Sequence, residues 1–200
     1  MSVFTYECDS DVFPSEFHTE RLKFKKISYE VMDVRTLYEY YSPKNNTEYE
    51  FAPFMPHTSV MDTKNWVDKS IKKFENSESA GYFIFDKEDN FIGTTSFDPK
   101  WDKNIAESGI FLFRDYWGNG YSTERGEIML ELAFEEMNFE WWISRCHPDN
   151  VGSARAIEKY VVSNGGKRVG VLPNQSVGFT TNNNQDDVLY FKISQKDYKS

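Results

Sequence analysis

Residues 104–137 read NIAESGIFLFRDYWGNGYSTERGEIMLELAFEEM, and two changes of pattern within them decide the fold. Residues 104–113 alternate loosely and then run continuously apolar through Ile110, Phe111, Leu112 and Phe113, the pattern of a strand buried on both faces. Gly118 and Gly120 in WGNGYS supply a tight turn whose backbone can come close to a ligand. From Tyr121 the period lengthens. Ile128, Leu132 and Ala133, with Met129 and Met137 beside them, mark the inward stripe of an amphipathic helix. A glycine turn that feeds a helix start leaves several amides unpaired, and with the helix dipole they suit a phosphate. An ordinary strand-to-helix connection, with glycines present for geometry alone, fits the same letters.

Sharper nucleotide signatures are absent, since the loop is neither GxxxxGK[ST] nor GxGxxG. Arg114 and Arg125 stand beside Asp115 and Glu124. The basic side chains are thereby offset, and a bound diphosphate would rest mainly on main-chain amides.

Upstream of this block, residues 1–18 are polar with scattered aromatics and read as an irregular arm. Residues 20–27 alternate as a first strand. A helix is expected from Ser28 or Tyr29 to about Tyr41, and a second from about Met61 to Phe74. Between them residues 42–58, SPKNNTEYEFAPFMPHT, hold three prolines and several aromatics; a connection of that length reads as a structured lid. Tyr82 to Phe85 and Phe91 to Phe97 form a predicted hairpin around Lys87–Asn90. Downstream, Phe139 to Cys146 is a strand with Trp141 and Trp142 on opposite faces. A helix begins at Asn150 or Ser153 and runs to Val162, with Asn164-Gly165-Gly166 as its stop. Strands at 167–172 and 188–193 flank a polar loop at 174–187. The order β-α-α-β-β-β-α-β-α-β-β requires a mixed sheet with helices on its faces.

Composition narrows the function. Two hundred residues, 39% hydrophobic and 17% aromatic, fit one globular domain, taken as 19–195 behind the arm. A net charge of −9 argues against a nucleic-acid partner, which needs a basic footprint. No apolar run reaches membrane-spanning length, and the first residues lack the character of a signal peptide, so a cytoplasmic location is expected. Cys146 beside His147 has no further ligand nearby in sequence, so neither a metal centre nor a thiol nucleophile is expected.

Two runs, AESGIFLFRDYWGNGYSTE and HPDNVGSARAIEKY, together with the opening HTERL, resemble the GCN5-related N-acetyltransferase (GNAT) superfamily, and within it the RimJ/RimL-like branch. The resemblance covers about 20–193. It implies a mixed, mostly antiparallel sheet splayed at its middle strands, with helices on both faces, and acetyl-CoA as co-substrate. The family's coenzyme loop, [QR]-x-x-G-x-[GA], falls on Trp117, Gly118, Asn119, Gly120, Tyr121 and Ser122, with Thr123 completing the helix start. Trp117 and Ser122 depart from the pattern. The family's N-x-x-S-x-R block matches at Asn150, Ser153 and Arg155, with Asn150 at the position that bonds the pantetheine arm. That arm would lie along Ile110, Phe111 and Leu112.

Gly109, a glycine inside a strand, marks a bulge or a close backbone approach. A bulge would free an amide near Ile110 or Phe111 for the thioester oxygen. Glu107 resembles the general base of this branch, acting through water; an outward-facing strand residue is its other reading. The tyrosine that many members use as acid is replaced by Ile157. Ser153 takes the place of a serine suggested for that role in RimL-like proteins; helix N-capping is its alternative. The implied activity is acetyl transfer to a primary amine, foremost a protein or peptide N-terminus. A small-amine acetyltransferase and a CoA-binding module without turnover are the alternatives, as monomer or homodimer.

Overall fold

The computed structural model describes residues 4–7, 11–42, 56–176 and 186–198. In chain order the strands and helices are β1 Phe4–Thr5, β2 Glu16–His18, β3 Leu22–Lys26, α1 Val34–Tyr41, α2 Val60–Glu75, β4 Ala80–Asp86, β5 Phe91–Lys100, β6 Ile105–Glu107, β7 Ile110–Leu112, α3 Tyr121–Glu131, β8 Trp141–Cys146, α4 Val151–Ile157, β9 Lys167–Ser176 and β10 Asp186–Ser194. Helices α3 and α4 each continue through one π-helical turn, Leu132–Glu136 and Glu158–Val162. These turns carry them to the ends expected from the sequence. Most of the expected lid, 43–55, and most of the expected polar loop, 177–185, lie outside the described residues.

Contacts divide the chain into two compact units. The first holds β1 to β4, the start of β5, β7, α1 and α2. Here the arm expected at 1–18 is corrected. Phe17 of β2 pairs with Phe24 of β3 and is fully buried, as is Phe13. The buried Tyr82 hydroxyl donates to the carbonyl of Pro14 at 2.9 Å. Strands of two and three residues are too short for a period to announce them, but three aromatic rings closing on one another hold the segment down.

Helix α1 starts at Val34 rather than Ser28 because Asp33 caps it, accepting from the amides of Arg35 and Thr36 at 3.0 and 3.1 Å. Ser59 and Asp62 form a reciprocal capping box at the start of α2. Tyr41, fully buried at the end of α1, shares a 2.9 Å hydrogen bond with Thr94 of β5 and lies 5.8 Å from the ring of Phe111. Gly93 is required by closeness: a Cβ there would sit 2.1 Å from the carbonyl oxygen of Phe111.

The second unit holds the end of β5, β6, β8 to β10, α3 and α4. Its strands run in the order β5, β6, β8, β10, β9, and β6–β8 is the one parallel pairing among those described. Trp142, Phe191 and Ile193 bury one sheet face, together with Met129, Leu132 and Ala133 of the α3 stripe and Tyr160 and Val161. Trp142 is fully buried and Trp141 is 36% exposed, the opposite facing expected of neighbours in a strand.

The expected single strand at 104–113 is two short ones. Within it only Ala106 and Phe111 are buried; Ile110 and Leu112 are half-buried. The bulge expected at Gly109 is also corrected. Asp98 pairs with Glu107 and Gly93 with Leu112, so five steps along β5 match five steps along its partners. A bulge needs an extra residue on one strand, and none is present. The strand ladder instead lapses across Ser108 and Gly109.

The packing of β2 makes a direct prediction. Phe17 stacks on Phe24 at 4.6 Å and meets Tyr82 edge-on at 4.9 Å. Phe17→Ala should lower unfolding free energy by about 3–5 kcal/mol, read from the midpoint of a denaturant titration. A loss below about 1 kcal/mol would show that the arm is not part of the core.

Candidate active site

The loop entering α3 is built by two left-handed glycines. Gly118 has φ +78° and Gly120 φ +80°, a region where side-chain-bearing residues are strained. A Cβ at Gly118 would meet nothing within 4 Å, so glycine is needed there for its dihedral alone. Gly120 is the N-cap residue and has no side chain to cap with. Its carbonyl accepts from the amides of Thr123 and Glu124, both at 3.1 Å. The amides of Gly120 and Ser122 make no hydrogen bond to the described residues. Trp117, Gly118, Asn119 and Gly120 are exposed, and Tyr121, Ser122 and Thr123 are half-buried. An exposed helix start with uncommitted amides attracts an anion.

Glu107 is the last residue of β6. Its Oε2 accepts from a guanidinium nitrogen of Arg145 on β8 at 2.7 Å, and its side chain is 18% exposed. Glu107 pairs with Ile143, two residues before Arg145, and Arg145 pairs with Tyr190 of β10. The three side chains therefore form a row across three adjacent strands on one face. Burial pushes the Tyr190 hydroxyl above its ordinary pKa, and the Glu107 charge adds to the effect. It stays protonated at neutral pH.

Asn150 is the N-cap of α4, accepting from the amide of Ser153 at 3.0 Å. The capping role considered for Ser153 thus belongs to Asn150. The Ser153 side chain instead lies near enough to the Cys146 thiol to favour its ionised form slightly. Burial pushes that thiol up to about 11. Cys146 is therefore a thiol at neutral pH, which removes it as a nucleophile. Arg155 is exposed one turn along α4. Among the described residues no three His, Cys, Asp or Glu side chains gather in a metal-holding group. Ile110, Phe111 and Leu112 lie in the first unit, on β7, where Phe111 spends its ring in the aromatic core.

Two basic residues of this site escape a reading by composition. Arg145 follows Trp141 and Ile143 at a spacing of two, which assigns it to the same face. Arg125 precedes Ile128 and Leu132 on the helical stripe, a position that implies burial for whatever occupies it. The structure buries Arg125 to 2% exposure. Its neighbour Glu124 does not neutralise it, so the offset expected from the sequence is corrected.

Comparisons with known proteins identify the family. The family description "Acetyltransferase (GNAT) domain" matches residues 21–160, which span the loop, Glu107, Asn150, Ser153 and Arg155. The chain belongs to the GNAT acetyltransferase family. It is 32% identical over 141 residues to the uncharacterised N-acetyltransferase YnaD of Bacillus subtilis (strain 168), across 70% of this chain and 78% of that one. Two solved structures share the GNAT fold. A ribosomal-protein alanine acetyltransferase from Vibrio fischeri superposes with TM-score 0.73 at 17% identity, over 92% of this chain and 99% of that one. A spermidine N-acetyltransferase from Vibrio cholerae, in complex with CoA and spermine, gives 0.70 at 17% identity, over 91% and 100%. As a GNAT protein the chain is an acyltransferase, an acetyl-CoA-dependent N-acetyltransferase. Its fold is mixed α/β with a mostly antiparallel sheet. No helix among the described residues is long and apolar enough to cross a membrane.

The state of Cys146 can be checked chemically. Iodoacetamide at pH 7.5 should leave Cys146 unmodified in the folded protein and alkylate it in urea, read by peptide mapping. Rapid modification of the folded chain would contradict a buried, protonated thiol.

Proposed function

We propose that this GNAT enzyme acetylates the α-amino group of a protein or peptide in the cytoplasm, with residues 19–195 and the packed arm before them serving one catalytic activity. In this reading the amides of the loop from Trp117 to Thr123 hold the diphosphate of acetyl-CoA. Asn150, Ser153 and Arg155 contact its pantetheine and phosphate groups. Glu107 is the general base. The amine nitrogen forms the new C–N bond, the C–S bond breaks with its electron pair going to sulfur, and the amine proton passes to Glu107 through water. The Ser153 hydroxyl donates a hydrogen bond to the departing thiolate.

The observation that carries this reading is the row of Glu107, Arg145 and Tyr190. Tyr190 is held protonated and Arg145 is a fixed cation, so Glu107 is the one proton acceptor in the row. One of its oxygens is already committed to Arg145. Such a base suits an acceptor that is partly neutral before it binds. An α-amine, with pKa about 7.7–8.0, is neutral in on the order of a tenth of molecules at pH 7. A lysine amine, with pKa about 10.4, is neutral in roughly one of a few thousand. Relatives by fold act on both a ribosomal protein and a polyamine, so the choice rests on this chemistry and not on the fold.

Thiol release from acetyl-CoA, measured against a panel of N-terminal peptides and small amines, tests the acceptor. Turnover with peptides is expected. Turnover confined to polyamines or amino acids would move the assignment to a small-amine enzyme, and CoA binding with no release under any acceptor would make the chain a binding module. Glu107→Gln should reduce kcat by about 10²-fold or more while leaving CoA affinity within twofold; an unchanged rate removes Glu107 from the mechanism. Gly120→Val places a β-branched residue at φ +80° and should weaken CoA binding at least tenfold by calorimetry. Wild-type affinity in that variant would sink the loop assignment.

A further inference from the structure

Arg125 is the least expected residue of the second unit. It lies on the buried face of α3, five residues after the N-cap Gly120, and is 2% exposed. One guanidinium nitrogen donates to the hydroxyl of Ser108, where the strand ladder lapses. The Nε is buried with no hydrogen-bond partner. No carboxylate among the described residues pairs with it. Its remaining neighbour is the phenol of Tyr160, which burial keeps above its ordinary pKa and so uncharged. An arginine does not escape burial by losing its proton, so among the described residues of the second unit Arg125 is a buried positive charge with no carboxylate beside it. Such a charge is costly unless something negative compensates it.

The helix that carries Arg125 also carries the candidate phosphate loop. At about 1.5 Å of rise per residue, the Cα of Arg125 is roughly 7–8 Å along the axis from Gly120. Helical side chains lean toward the N-terminus, so the guanidinium leans toward the loop. Its field adds to the helix dipole at the end where an anion is favoured. Dry surroundings leave it weakly screened by salt. We infer that Arg125 is the buried counter-charge for the diphosphate of acetyl-CoA, acting through space from beneath the loop in place of a basic side chain within it. Trp117 departs from the Gln or Arg of the family pattern that the loop resembles, and Arg125 supplies a positive charge from the helix behind it. The inference rests on the loop reading above and names a further binding determinant for that ligand.

The test compares donors with and without the diphosphate. Wild type, Arg125→Met and Arg125→Lys are titrated with CoA by calorimetry, and each is assayed with acetyl-CoA and with acetyl-pantetheine. Arg125→Met is expected to bind CoA about tenfold more weakly, and its preference for acetyl-CoA over acetyl-pantetheine, as a ratio of kcat/KM, should fall by the same factor. Arg125→Lys, which keeps the charge, should stay within about threefold of wild type on both measures. Methionine fills similar volume without a buried charge, so its thermal midpoint should equal or exceed that of wild type. Equal losses on both donors would mean that Arg125 only supports the fold, and an unchanged CoA affinity would mean that its charge is not felt at the loop; either result overturns the inference. Should wild type itself fail to bind CoA, the loop reading falls with it.

Discussion

The constraint on which this structure turns is the entry into α3, where the backbone must go left-handed twice, at Gly118 and Gly120, and then start a helix with no side-chain cap. A helix start normally satisfies its first amides with a Ser, Thr or Asp. Omitting that cap costs stability and leaves donors for another occupant. The direction in which those donors point is set by the packing of the helix behind them. Arg125, Gly126, Ile128, Met129 and Leu130 are all buried, and a Cβ at Gly126 would lie 2.3 Å from the ring of Tyr160. Tyr160 cannot swing aside cheaply, because its hydroxyl is bonded to Ser144 at 2.8 Å and Ser144 in turn to the indole of Trp142 at 2.8 Å. A flexible-looking glycine loop is therefore aimed by a rigid core.

The same polar core reaches the strand break. Arg125 bonds Ser108, one residue after Glu107, and Glu107 is tied to Arg145 on the neighbouring strand. The Glu107 carboxylate is thus held from both sides: the residue after its strand is bonded to α3, and its side chain is bonded to β8. A base held in this way loses less freedom when an acceptor arrives. Glu107 keeps the alternation of its strand, which a bulge would have disturbed.

Much of this was readable from the letters alone, and the failures share a cause. Periodicity located α2, the hairpin of β4 and β5, α3 with its π-helical end, and β8, because each is long enough to show its repeat. The glycine turn was legible because only glycine is at ease in that geometry. Segments that depend on a partner were not legible. Phe13 and Phe17 are buried by rings elsewhere in the chain, so an apparently irregular stretch joined a sheet. The nature of the break at Ser108 and Gly109 depends on how β5 is paired, which no local pattern reports. Arg125 sat on the right stripe for burial, yet charge alone argued for solvent. Position was the better guide there, because Ser108 and Tyr160 supplied a polar setting that the stripe could not reveal.

The composition of α4 bears on how the chemical work is divided. Ile157 stands where the family pattern that this helix resembles has a tyrosine, and it is buried. Tyr160, one turn on, is committed to Ser144 and faces the guanidinium of Arg125. No phenol on this helix is offered to a leaving group. A thiol with pKa near about 8.5 needs little help to depart as thiolate at neutral pH, whereas an ammonium acceptor cannot attack until it has lost a proton. An enzyme under that asymmetry gains more from a well-held base than from a strong acid. Under the proposed mechanism the chain fits that proportion, with Glu107 anchored by Arg145 and a serine hydroxyl as the acid.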